Sequence, residues 1–333
     1  MHASDLEDFA ERILLRIRKK QNKPVPITAL SKDLKISESN VAEGVKVIRS
    51  WGYRIKKRRS GDIVFVSAPD SMIATEIGHN LKTKLIGRKI YAFQSVKSTN
   101  DLAAQLAEQG EPEGTIVTSE QQTVGRGRLG RKWHSPPKSG IYVSVILRPK
   151  FKPELAPGLS VMTALALRDA IHSICPGEVR IKWPNDILIA NRKTAGILTE
   201  LYADKEKIDF VIIGVGINVN MKAEEFPADL RATATSIRRV NKRRADRIQL
   251  LQSFLKCLEK EYERYRKDQL AGSLKRIRRH SSLIGTTVEL NMGRQTIRGK
   301  AVDIDKSGAL VVDIDDRQVS VAGGEVTVVK DID

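Results

Sequence analysis

The chain predicts an α+β fold built in three parts, and three observations carry that expectation. Residues 1–68 hold helix-periodic apolar positions followed by a short hairpin pattern. From Ile90 to about Gln269 strands and helices mix without strict alternation, which favours a sheet with helices packed against it over a doubly wound fold. From Leu283 to Val329 β-branched residues and turns dominate. At 333 residues the chain suffices for two or three domains with real cores. With 41% apolar and 29% charged residues, neither a disordered nor a fibrous protein fits.

Leu6, Phe9, Ala10, Ile13, Leu14 and Ile17 recur at helical spacing, and Asn22-Lys23-Pro24 ends that helix. A second short helix runs from about Ile27 to Leu34, and Ser37 is placed to cap a third. Val41, Val45 and Ile48 are the third helix's buried stripe, and Trp51-Gly52 closes it. Tyr53-Arg54-Ile55, a polar tip and Ile63-Val64-Phe65-Val66 then form a hairpin. Three helices and a hairpin make a winged helix-turn-helix over 1–68, with the third helix as reader of DNA. Its candidate contacts are Ser37, Ser39, Asn40, Glu43 and Lys46, with Lys56, Lys57, Arg58 and Arg59 on the hairpin tip. The tip suits phosphates; Glu38 and Glu43 oppose them, and Gly44 weakens the helix by up to ~1 kcal/mol.

Ala68-Pro69-Asp70-Ser71 reads as a linker, and Met72 to Leu85 as a connecting helix, which sets a 69–85 linker segment. The 86–280 core has strand candidates at Ile116–Ser119, Ile141–Leu147, Val179–Lys182, Ile187–Ile189, Gly196–Leu201 and Phe210–Val215. Its helices fall at Asn100–Gln109, Leu159–Ile174 and Arg247–Arg266. Residues 281–333 form a small β barrel or sandwich with turns at Gly285, Asn291-Met292-Gly293, Lys306-Ser307-Gly308 and Gly323-Gly324.

Lys plus Arg number 58 against 40 for Asp plus Glu, a net charge of +18 that favours polyanionic partners. The steepest density is at 231–280, with 16 basic and 5 acidic side chains. Cys175 and Cys257 exclude a disulfide framework and fit a reducing, cytoplasmic compartment. No apolar run reaches the ~18 residues that a membrane helix needs. Asp5, Glu7 and Asp8 are wrong for a secretory signal.

The richest stretch runs from Gln122 to Trp133, with Gly125, Gly127 and Gly130 satisfying G-x-G-x-x-G. A dinucleotide fold needs that motif to open a helix, and Pro136-Pro137 blocks one; the Q-x-x-G-x-G turn of acetyltransferases fails for the same reason. A phosphate-binding loop would need Lys-Ser or Lys-Thr after the last glycine, where Arg131-Lys132 stand. Taken alone, the stretch is either a flexible loop whose N–H groups approach an anion and whose Arg126, Arg128, Arg131 and Lys132 neutralise it, or a solvated basic loop or nucleic-acid contact. Like charges crowded on one loop predict ordering when an anion binds.

Four companions accompany it. Ser98-Thr99-Asn100 opens a helix, where hydroxyls and N–H groups take a small polar head or simply cap. Lys182-Trp183-Pro184-Asn185-Asp186 turns at a strand end. Arg192-Lys193-Thr194-Ala195-Gly196-Ile197-Leu198 sets a lysine at the entrance of an apolar strand. Gly214-Val215-Gly216-Ile217-Asn218-Val219-Asn220 ends a buried strand with glycines that admit close approach and asparagines able to read a base or ribose.

In this order and at these intervals, the motifs resemble those of biotin protein ligases of the bifunctional class, which also act as biotin-responsive transcriptional repressors. The resemblance covers nearly the whole chain; lipoate ligases share the core fold but lack this combination. It implies a class II synthetase-like core and a C-terminal SH3-like barrel. It places biotin along Ser98, Thr99, Asn100, Gln122, Arg126, Gly127, Arg128 and Lys193, with its apolar ring near Gly196, Gly214 and Gly216. It places ATP by Arg126, Arg128, Arg131, Lys132, Trp133, Asn185 and Asn218, with Mg²⁺ accompanying it. Lys193, Arg128 and Asp186 become the catalytic candidates, with Asp186 serving either to orient or deprotonate an acceptor lysine or to hold Mg²⁺ at the ATP site. The implied acceptor is the biotin carboxyl carrier domain of a carboxylase. The other implied partners are operator DNA and a second copy of the chain, in a homodimer formed when the adenylate is bound. A ligase whose N-terminal domain has no regulatory role is the alternative.

Overall fold

The computed structural model describes residues 3–20, 22–175, 177–291 and 296–329. They fall into two compact units, Met1–Asp70 and Ser71–Asp333.

The first unit packs α1 (Ala3–Lys19), α2 (Ile27–Leu34) and α3 (Glu38–Ser50) against the antiparallel hairpin of β1 (Arg54–Lys57) and β2 (Ile63–Ser67). Its core joins Ala10, Ile13, Leu14 and Ile17 to Val41, Val45 and Ile48, and closes on Tyr53, Ile55, Ile63 and Phe65 of the hairpin. Each aliphatic side chain so buried is worth about 1.5–3 kcal/mol. The Ser37 hydroxyl accepts the Asn40 N–H at 3.1 Å and so starts α3. Gly44 has a packing reason: a Cβ there would meet Ile13 Cδ1 at 2.6 Å, so the missing side chain lets α1 and α3 approach.

The second unit opens with α4 (Ala74–Gly78), far shorter than the connecting helix expected over Met72–Leu85. Asn80 takes φ 58°, and the Glu259 carboxylate accepts the N–H groups of Lys84, Leu85 and Ile86 at 2.7–2.8 Å. Those amides are satisfied by a side chain 170-odd residues away rather than by a helix, which no local pattern announces.

The remaining core elements are β3 (Ile90–Val96), α5 (Thr99–Glu108), β4 (Ile116–Gln122), β5 (Gly140–Leu147), α6 (Ala156–His172), β6 (Val179–Lys182), β7 (Asp186–Ile189), β8 (Arg192–Ala203), β9 (Ile208–Asn218), α7 (Ile237–Asn241), α8 (Arg247–Asp268) and α9 (Leu274–His280). Seven strands form one mixed sheet in the order β3-β4-β5-β9-β8-β7-β6, parallel only between β3 and β4. Along β5 every residue is buried, as a central strand covered on both faces requires. One face carries α6 and α8; the other carries α5, whose Ala103, Ala104 and Ala107 lie on Val117, Ile146 and Ile212. Among the described residues, no helix is long and apolar enough to cross a membrane.

β10 (Thr287–Asn291), β11 (Thr296–Ile304), β12 (Leu310–Ile314), β13 (Arg317–Val321) and β14 (Glu325–Val328) form a five-stranded antiparallel sheet in the order β13-β12-β11-β10-β14. Its Leu290, Ala301, Leu310 and Val312 belong to the same apolar core as the central sheet. The expected boundary at 280/281 thus marks a change of secondary structure inside one packed unit. Of the expected turn at Asn291-Met292-Gly293, Met292 and Gly293 lie outside the described residues.

Candidate active site

The Gly-Arg stretch and its four companions meet over the β8–β9 region of the sheet around a cavity of about 570 Å³. Every residue expected to bind biotin or ATP lines it, from Ser98 at the start of α5 to Asn218 at the end of β9. That volume lies in the range of small-molecule sites.

The floor is polar and internally bonded. Gln122 Oε1 accepts from Thr99 N at 2.9 Å and lies 3.0 Å from the Thr99 hydroxyl. Ser144 Oγ lies 2.8 Å from Thr99 Oγ1 and 2.6 Å from Asn100 Oδ1. Two hydroxyl protons serve three oxygen–oxygen contacts, so one contact lacks a proton and the array can take a donor from a ligand. Ser98 caps α5, accepting the Asp101 N–H at 3.4 Å, so its ordinary capping role and its place on the cavity coexist.

The Gly-Arg segment is a tight turn rather than a free loop. Gly127 N donates to Arg131 O at 2.7 Å, Arg126 bridges Lys132, and Leu129 sits at φ 56°. The expected mutual repulsion of its cations is met by acids from other elements. Arg126 pairs with Glu200 at 2.8 Å and Asp101 at 2.5 Å, Arg131 pairs with Glu325, and Arg128 donates to Asn185 Oδ1 at 3.1 Å. Burial pushes Arg128 below the usual arginine range; the charge of Arg131 adds to this and Asp186 opposes it. For Arg126 burial also lowers, but Glu200 and Asp101 outweigh it and hold the guanidinium above its ordinary value.

Gly196, Gly214 and Gly216 line the sheet side of the cavity. A Cβ on Gly214 would overlap the Asn100 amide, so that glycine also seats Asn100. Gly196 and Gly216 face each other across β8 and β9, and the Trp133 indole lies over both. Trp133 therefore packs on this part of the cavity floor, and its indole N–H is buried with no hydrogen-bond partner among the described residues.

Lys193 reaches the cavity because of a β-bulge. Ile187 pairs with Ala195 but Leu188 with Lys193, which leaves Thr194 as the extra residue and re-aims its neighbours. Lys193 N and O are both taken by the 233–235 segment, at 2.8 and 2.9 Å. Its ammonium lies 2.7 Å from Asp186 Oδ1 and 5.6 Å from the centre of the Trp133 ring. Among the described residues, Asp186 and Glu325 are the carboxylates on the cavity wall. Among the described residues, no three His, Cys, Asp or Glu side chains cluster as a metal site. A hard cation bound through substrate phosphates needs only one or two protein carboxylates, and Asp186 fits that use.

Sequence reasoning missed two walls. Met221, Phe226, Leu230 and Ala234 form a small apolar cluster over the cavity, and Gly324, Glu325 and Val326 bring β14 to its rim. Neither has a motif; the first lies in an irregular segment without periodicity, and the second depends on how the C-terminal sheet packs. Trp183 was quoted only as part of its turn: its indole N–H donates to Gly308 O at 2.8 Å and ties the Lys182–Asp186 segment to the C-terminal sheet.

In the first unit, Ser37, Ser39 and Lys46 are exposed on α3, Asn40 and Glu43 half-buried, and Lys56, Lys57, Arg58 and Arg59 exposed on the hairpin. Lys46 is paired with Glu43 at 2.6 Å.

Comparison with known proteins bears on both units. The Biotin/lipoate A/B protein ligase family matches residues 92–218, and the Biotin protein ligase C terminal domain matches 283–329. The Bifunctional ligase/repressor BirA of Bacillus spizizenii is 35% identical over 85% of this chain and 87% of its own length. The Escherichia coli protein of the same name is 29% identical over 90% and 91%. A solved biotin protein ligase from Aquifex aeolicus, in complex with biotin and ATP, superposes with a TM-score of 0.63 at 29% identity, over 72% of this chain and 98% of that one. With its fold, its cavity and these similarities in agreement, the chain belongs to the biotin protein ligase family.

Proposed function

We propose that the chain is a biotin–[acetyl-CoA-carboxylase] ligase that activates biotin with ATP and transfers it to a lysine of a biotin carboxyl carrier domain. The observation that carries this is the convergence of the Gly-Arg turn, Lys193, Asp186 and the Thr99–Gln122 floor on one cavity. In the first step a biotin carboxylate oxygen attacks the α-phosphorus of ATP, the bond to the bridging oxygen breaks, and pyrophosphate leaves. Two anions must meet, and Arg126, Arg128 and Lys193 offset their repulsion and hold them in line. Arg131, Lys132, Asn185 and Asn218 serve the nucleotide. Trp133 and the 221–234 segment keep water from the biotinyl-5′-adenylate, a mixed anhydride that hydrolyses. In the second step a neutral acceptor amine attacks the anhydride carbonyl and AMP departs. Asp186 takes that amine's proton or shares in holding Mg²⁺, which would neutralise phosphate charge when bound.

Incubation with biotin, ATP and magnesium, followed by native mass spectrometry, should find biotinyl-AMP held by the protein; an enzyme that never carries it refutes the reading. A cytoplasmic location fits the two unbridged cysteines, Cys175 and Cys257.

The first unit favours a second activity. Three helices with a capped α3 and a basic hairpin tip suit a winged helix-turn-helix that binds operator DNA, with the adenylate driving homodimerisation. A gel shift of DNA upstream of biotin-synthesis genes, strengthened by biotin plus ATP, is the expected result; a ligase with a non-regulatory N-terminal unit gives no specific shift.

A further inference from the structure

Glu200 lies on β8 just beyond the Arg192–Leu198 segment, outside every motif read in the sequence, and its carboxylate joins two parts of the site. Its two oxygens grip Arg126 side by side, Nη1 to Oε1 at 2.8 Å and Nη2 to Oε2 at 3.0 Å. Oε2 also accepts from Asn100 Nδ2 at 2.6 Å. Asn100 is buried and fixed from both ends, its amide oxygen taking the Ser144 contact at 2.6 Å. The amide therefore cannot turn without losing one bond. Asp101 also pairs with Arg126, but its side chain is 48% exposed against 22% for Glu200, so water screens it more. A two-point guanidinium–carboxylate pair fixes orientation as well as charge.

We propose that Glu200 is a positioning residue of the ligase: it clamps the Gly-Arg turn at Arg126 and, through Asn100, sets the polar floor that receives biotin. The inference rests on the biotin-binding reading of that floor. Glu200 touches no reacting atom. It reduces the freedom of the two elements that must meet the substrate, so it acts first on biotin affinity and only through Arg126 on the chemical step.

The test is Glu200→Gln, which keeps the shape and removes the charge. The KM for biotin should rise about tenfold, the order expected for losing a charge-assisted pair at a partly exposed site, with a smaller rise in the KM for ATP and a smaller fall in kcat, since Arg126 serves both substrates. Trypsin should cut the 126–132 segment faster in the ligand-free variant, with the melting temperature near that of the unaltered protein. If Glu200 works through Arg126, the biotin effects of Glu200→Gln and Arg126→Ala combine to less than their product. Should Glu200→Gln instead melt early, Glu200→Asp, which keeps the charge, carries the same comparison and should recover part of the biotin affinity. Unchanged or tighter biotin binding, an unchanged tryptic rate, or fully multiplicative effects would each overturn the proposal. If the unaltered protein forms no biotinyl-AMP, the function assigned to the site falls, while the tryptic rates still decide whether Glu200 holds the turn.

Discussion

In the proposed mechanism Lys193 serves two partners in turn. Its ammonium pairs with Asp186 at 2.7 Å, and the mechanism has it face an anion when substrate binds. Lys193→Ala therefore does more than remove an attraction, since it leaves the Asp186 carboxylate on the cavity wall to repel biotin's own. Biotin-dependent ATP–pyrophosphate exchange should fall by roughly 10²-fold or more, as when a preorganised charge-stabilising group is lost. Adding Asp186→Asn to that variant should restore part of the binding of biotin, measured by calorimetry. Near-normal exchange in Lys193→Ala would remove the residue from the mechanism. The bulge that aims Lys193 was not legible in the sequence, although the residue itself was: a lysine entering an apolar strand stands out, but the register of its neighbour strand does not. The same gap explains the glycines. Gly214 and Gly216 were legible as places of close approach, and only the fold says that Asn100 and Trp133 are what approaches.

Elements with strong periodicity and a buried stripe declared themselves, as α1, α3 and α8 show by their buried Ile13, Ile48 and Leu251. β3 did not: it is a sheet edge with no fully buried residue, so its alternation is blurred. α7 and α9, at five and seven residues, are too short for a period to register. What holds α9 to α8 is Glu261, which accepts from Ser273 and from Arg276 and Arg264, each at 2.7 Å. Burial raises its carboxyl, but Ser273, Arg276 and Arg264 outweigh that and hold it below the ordinary 4.5. A depressed folded-state value stabilises the protein above about pH 4.5, and that stability is lost as the pH falls through the lower folded-state value. Glu261→Gln should cost about 1–3 kcal/mol at pH 7. In urea unfolding followed from pH 7 to pH 3, the gap between variant and parent should close toward the acid end; a constant gap would mean that Glu261 acts through packing alone.

At the scale of the whole second unit, one ion pair gathers several segments that lie far apart in the chain. Arg247, at the start of α8, and Glu120, near the end of β4, are 0% and 2% exposed and meet at 2.8 Å. Glu120 also accepts the N–H of Met72 at 2.5 Å and of Lys138 at 3.2 Å, and Arg247 donates to Gly140 O at 3.1 Å. The start of the unit, the strand that carries Gln122, the segment after Trp133 and the long helix thus share one buried node. No local pattern marks it: Glu120 falls just past the expected strand Ile116–Ser119, and Arg247 reads as one of many helix arginines. Burying both charges is expensive, and their mutual attraction with the added backbone bonds is what offsets it. Removing one partner leaves the other charge stranded, so Glu120→Gln or Arg247→Met alone should lower stability by roughly 3–5 kcal/mol. Glu120→Leu combined with Arg247→Met strands no charge and should cost less than the sum of Glu120→Leu and Arg247→Met measured singly. Recovery stays partial, because the N–H groups of Met72 and Lys138 lose their acceptor. A double-mutant cycle in urea checks this, and strictly additive losses would show that the two side chains stabilise the unit independently.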